Sequence, residues 1–151
     1  MWASTITAYL HYLSFMVAFG ALIFEVSHLK KDLTLQEAWR IVIADSLYGV
    51  AALGVLITGI LRVLYFGQGT HYYLDNPVFY TKVAIFLIVG TFSLYPTLSF
   101  ILWIPTLRQG QIPTLELPKV DRLLGIIRLE LVGFTLIPLL AAMMARGIGL
   151  S

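Results

Sequence analysis

Four apolar runs separated by short connections dominate this chain, at about 4–29, 41–66, 77–104 and 120–146. A transmembrane helix needs roughly 20 mainly apolar residues. Inside lipid a spanning segment must also satisfy its own backbone hydrogen bonds, and a helix does so. Short connections make successive helices antiparallel, so the pattern predicts an all-α membrane protein: an up-down four-transmembrane-helix bundle. No linker, low-complexity tract or repeat divides it, which makes residues 1–151 one domain. Composition agrees. With 59% hydrophobic residues and a mean hydropathy of +0.88, the chain lacks the polar groups to cover a water-facing surface. Its net charge of +2 and the lack of a basic, aromatic-rich cluster argue against a nucleic-acid partner. The sequence contains no cysteine, which removes disulfides and thiolate chemistry. The first run follows no basic residue and is too long for a signal-peptide core, so it is expected to be a retained span.

Charge sets the expected orientation. The first loop region holds Lys30, Lys31 and Arg40, and the third holds Arg108 and Lys119 with Arg122 just beyond. The N-terminus and the second loop hold neither Lys nor Arg. The positive-inside rule then makes loops one and three cytoplasmic and both termini non-cytoplasmic. Thr34 with Glu37 forms a capping-box pattern ahead of the second helix. Asn76-Pro77 supplies an N-cap and first-turn pair for the third. Pro105 and Pro113 are expected in the third loop, and Pro96 and Pro138 inside helices three and four. Trp2, Trp39, Trp103 and Tyr72-Tyr73 are expected to anchor the membrane interfaces.

Ionisable residues inside such segments are costly and therefore informative. A turn of about 100° per residue puts His11, Ala18 and Glu25 on one stripe of helix one. Asp45, Gly49, Ala52 and Gly59 share a stripe of helix two, and Lys82, Val89, Ser93 and Pro96 a face of helix three. Arg128 and Glu130 project in nearly opposite directions from helix four. By depth these residues form two groups. One holds His11, Arg62 and Lys82 near the second loop, with Asp75 the only nearby acid. The other holds Glu25, Asp45 and Arg122 toward the opposite side, with Arg128 and Glu130 nearer mid-membrane. The second group is expected to contain a structural ion pair, with Arg128 bound to Asp45 or Glu25. A proton relay through the same acids is the alternative. In the first group, His11 either bonds a neighbouring helix or ligates a haem iron. Lys82 is either a second ligand or a partner for a propionate. Arg62 either clamps a propionate or, like Lys82, snorkels to headgroups. His28 and His71 are expected to be solvated.

Two resemblances add to this reading. The early His11-Tyr12-Leu13, Asp45 with Tyr48-Gly49, Thr58-Gly59 with Arg62, Phe79 with Lys82, and Tyr95-Pro96-Thr97 resemble an uncharacterised family of small bacterial and cyanobacterial membrane proteins, known only as a domain of unknown function. That resemblance covers nearly the whole chain and implies a bacterial plasma membrane or thylakoid location, with no activity attached. More distantly, His11, Lys82 and Arg128-Leu129-Glu130 with Pro138 resemble the layout of the HemJ-type protoporphyrinogen oxidases and the copper-resistance membrane domains. There the histidine and lysine are associated with haem. The chain departs from that layout in having Phe79-Tyr80 where a tryptophan is expected and Leu129 where an asparagine is expected.

The resulting expectation is a membrane redox protein associated with b-haem or porphyrin, with His11, Lys82 and Arg62 as cofactor-binding residues and enzymatic activity left open. Its rivals are a non-catalytic small subunit or assembly factor of a larger membrane complex, and a small proton- or ion-coupled transporter. The partners expected are the lipid bilayer, haem or porphyrin, and a larger complex or further copies of the chain.

Overall fold

The computed structural model describes residues 2–66 and 69–147. Four long helices carry the fold: α1 (Trp2–His28), α2 (Leu35–Leu61), α4 (Pro77–Arg108) and α5 (Leu117–Ala145), with the short α3 (Thr70–Leu74) between α2 and α4. All four long helices are long and apolar enough to cross a membrane. The chain is a multi-pass membrane protein with the expected all-α, four-helix architecture.

Local chemistry sets most helix ends. The Thr34 side chain accepts from the Glu37 backbone N–H, and the Glu37 carboxylate accepts from that of Thr34, closing the capping box ahead of α2. Lys30 adds an ion pair to Glu37 at 3.1 Å. Asn76 caps α4 through Val78 N–H at 2.8 Å, with Pro77 in the first turn. Gly110 takes a φ of 76° just past the end of α4, a left-handed conformation that glycine adopts without steric cost.

The second span ends at Phe66 as expected but starts at Leu35 rather than at about 41, and three further features were not expected. Pro105 lies inside α4, which runs on to Arg108. Helix α2 continues into a wider π-helical turn over Arg62–Phe66. The second loop folds into α3, which returns the chain to α4. Two expected interface anchors are also interior residues. Trp103 packs against Phe100 with ring centroids 4.9 Å apart, and Tyr73 is buried beside Phe79.

The helices pack as a square. Around it α1 touches α2, α2 touches α4, α4 touches α5 and α5 touches α1, so α1 and α4 face each other across a diagonal. Inside lie Ala18, Leu22, Ile41, Phe100, Leu123, Ile127 and Phe134. Outside, rows of exposed leucine, isoleucine, valine and phenylalanine cover every long helix, including Leu53, Ile57, Leu98, Leu102, Val132 and Leu139. That surface suits acyl chains, which are as apolar as leucine. Small residues permit close approach. A Cβ on Gly133 of α5 would overlap Val89 of α4, and one on Gly54 of α2 would come within 2.5 Å of the Ser14 hydroxyl of α1.

Candidate functional site

The bundle encloses an acid cluster built from all four long helices. Glu25 of α1 is 0% exposed, Asp45 of α2 is 6% exposed and Glu130 of α5 is 1% exposed. Glu25 sits on the inward stripe of α1 two turns from Ala18, as its spacing from His11 and Ala18 predicts. Asp45 shares the buried face of α2 with Ile41, Tyr48 and Ala52; Gly49, expected on that stripe, faces outward. The Asp45 and Glu25 carboxyls are within hydrogen-bonding range of each other, and Thr97 of α4 reaches Asp45 as well. Glu130 is close enough for its charge to act on both Glu25 and Tyr48, whose hydroxyl meets Ser93 of α4. Rings close over one side: Phe134 lies 6.0 Å from Tyr48 and 5.2 Å from Phe15, centroid to centroid.

The expected ion pair is not formed. Arg128 is exposed on the outside of α5, and it makes no ion pair among the described residues. The reason is angular. Residues two apart on a helix point about 200° away from each other, so burying Glu130 turns Arg128 outward. Among the described residues, none of the three acids is in an ion pair. Neither carboxylate oxygen of Glu25, nor Oε1 of Glu130, receives a hydrogen bond from any donor among the described residues. As carboxylates, Glu25 and Asp45 are both acceptors and have no hydrogen to give each other.

The second group, His11, Arg62 and Lys82, lies toward the α3 end. The charges of Arg62 and Lys82 both act on His11, so the three do share a neighbourhood. His11 Nδ1 meets the Thr58 hydroxyl at 2.8 Å, while Thr58 Oγ1 gives its single hydrogen to the Gly54 carbonyl at 2.5 Å. With its hydrogen on the Gly54 carbonyl, the Thr58 hydroxyl is free to accept from an Nδ1–H of His11, and the roles of the two ring nitrogens follow the tautomer. The side chain of Arg62 lies over the exposed Tyr12 ring, with its Cζ 5.3 Å from the centroid. Its Nε is buried and meets no acceptor among the described residues. Lys82 lies 5.7 Å from the Phe79 ring centroid. His28 and His71 are exposed, as expected: His28 stacks on Phe24, and His71 lies 3.7 Å from Asp75.

Sequence reasoning missed Thr58, Tyr48 and Thr97 as partners. Tyr48 stands three residues after Asp45, on the same face by helical spacing, and that spacing was the available signal. Thr58 and Thr97 stand in the motifs that carry the family resemblance, but an intramembrane threonine usually bonds its own helix, so nothing in those motifs pairs them with His11 or Asp45. Among the described residues, no three His, Asp or Glu side chains converge closely enough to hold a metal ion.

No curated protein and no solved structure matches the chain. A family model described as a predicted membrane protein, DUF2214, a family of unknown function, matches residues 3–149, and the chain belongs to that family.

Proposed function

We propose that this protein takes up and releases protons inside the membrane at Glu25, Asp45 and Glu130, as a small proton-coupled carrier. The observation that carries the reading is the pairing of Glu25 with Asp45. Two buried carboxyls stand within hydrogen-bonding range, the Glu25 oxygens lack a donor, and neither acid is in an ion pair among the described residues. One shared proton turns this repulsive contact into a hydrogen bond, and like charges this close cannot both ionise without large cost. Glu130 offers a neighbouring acceptor, and Thr97, Tyr48 and Ser93 supply hydroxyls that donate and accept. Every long helix contributes a group, so a small change in packing would alter the proton's affinity. A bundle that needed only stability would gain as much from leucine at these positions. By the charge of its loops, the acid cluster lies nearer the cytoplasmic face. The test is proton entry into proteoliposomes driven by a potassium diffusion potential. Wild-type protein and Arg128→Gln should admit protons faster than protein-free vesicles, and Asp45→Asn should fall to the protein-free rate. Equal rates for wild type and Asp45→Asn would overturn the reading.

A second reading, association with b-haem or porphyrin, is supported by one observation at the other end. Thr58 Oγ1 stands 2.8 Å from His11 Nδ1, where accepting from an Nδ1–H would leave the Nε2 lone pair free for a metal. A hydrogen bond to the second ring nitrogen is the usual support of a ligating histidine. Lys82 stands on the diagonal helix, and Arg62 would meet a propionate. The test is the absorption spectrum of protein expressed with ample haem: a Soret band lost in His11→Ala supports this reading, and colourless folded protein ends it. The subunit reading gains no specific support, since apolar outer faces are what four spans require in any membrane.

A further inference from the structure

Between α1 and the π-helical turn lies a cleft of about 510 Å³, lined by Ser4, Thr5, Tyr9, Tyr12, Arg62 and Phe66, with Ala8 at its floor. It is unlike the rest of the outer surface. One arginine and four hydroxyl-bearing residues line a gap on a bundle otherwise sheathed in aliphatic side chains. Ser4 donates to the Phe66 carbonyl at 2.6 Å, tying the first turns of α1 to the π-helical turn and fixing the width of the cleft at that end. The Arg62 Nε is buried with no acceptor among the described residues, although burying a guanidinium N–H without a partner is costly. Among the described residues, no carboxylate forms an ion pair with Arg62; Asp75, the acid of the adjoining segment, lies beside His71 instead. Lys82 stands close enough to interact with Arg62 electrostatically, so a second cation lies in the neighbourhood of the cleft. The position is also specific: Trp2 and Tyr9 are exposed beside it, at the level where aromatic side chains meet headgroups.

We propose that this cleft is a phosphate-binding site, with Arg62 as the anchoring residue and the Tyr9 and Tyr12 hydroxyls as further donors. A phosphate oxygen suits the need of Arg62 because a guanidinium presents paired N–H donors in a plane that matches it. The phosphate is that of an anionic phospholipid headgroup or of a free phosphate, and both share this chemistry. The site rests on neither reading of the protein's function. The test is native mass spectrometry of delipidated protein in detergent, titrated with phosphatidylglycerol, in wild type, Arg62→Gln, Arg62→Lys and Arg108→Gln. Wild type and Arg108→Gln should retain the lipid equally, and Arg62→Gln should bind it about tenfold or more weaker, the usual loss for a charged hydrogen bond. Arg62→Lys keeps the charge without the fork and should fall between. If Arg62→Gln does not fold, the Arg62→Lys titration decides. Inorganic phosphate is then added as competitor. Displacement of the lipid assigns the site to a free phosphate group, and no displacement assigns it to the lipid headgroup. Equal lipid binding by wild type and the Arg62 variants would overturn the proposal.

Discussion

Arg128 and Glu130 stand two residues apart on α5, and the fold buries the acid while exposing the base. Elementary chain geometry makes the opposite choice equally easy, so the reason lies in the side chains. An arginine facing lipid can run its stem toward the headgroups, whereas a short acid facing lipid has nowhere to go. Glu130 gains company inside from Tyr48, Asp45 and Glu25. Arg128→Ala should accordingly change thermal stability in detergent by no more than about 0.5 kcal/mol, as exposed sites usually do. Glu25→Gln should hold or raise the melting temperature, because an amide N–H donates to Asp45 without needing the shared proton. A lower melting temperature for Glu25→Gln than for wild type would mean that the carboxyl has a partner the fold does not show. Which residues lie inside was legible at Glu25 and Asp45, because a costly group on a small-residue stripe points inward, whereas His11 and Lys82 are only half-buried. Which of them pair was not legible. Pairing depends on the rotation of four helices about their axes, and single-residue spacing fixes that rotation on one helix at a time.

At the scale of elements, the starts of α2 and α4 were readable because capping is local. Thr34 with Glu37, and Asn76 with Pro77, need no tertiary partner. The end of α4 was not readable. Pro105 costs that helix one backbone bond near its terminus, and packing of Trp103 and Leu107 in the core offsets the loss. The π-helical turn of Arg62–Phe66 and the short α3 answer to the join between α2 and α4, and no run of residue types announces them. The junction of α4 with α5 makes a sharper claim. Gly133 lies so close to Val89 that an added methyl must push the helices apart. Gly133→Ala should destabilise the bundle by about 1–3 kcal/mol despite alanine's better helix propensity. Gly125→Ala, where a Cβ meets open space, should be neutral or mildly stabilising. Comparative thermal melts of the two variants check this, with a clear drop expected for Gly133→Ala alone.

The whole molecule separates two kinds of charge along one bundle. Glu25 and Asp45 come together in the interior with Glu130 in their neighbourhood, while His11, Arg62 and Lys82 gather toward α3. Hydropathy revealed the bundle, since nothing but helices fits four such runs. It could not reveal that these acids are in no ion pair among the described residues, because that follows from how the square of helices closes. The account stands on the state of those acids. Infrared spectroscopy of the purified protein at neutral pH, transferred from H₂O to D₂O, reads it directly. The account predicts a protonated-carboxyl C=O absorption that shifts on deuteration and is lost or displaced in both Glu25→Gln and Asp45→Asn. It is contradicted if wild-type protein shows no protonated carboxyl at neutral pH, or shows one that never exchanges with deuterium.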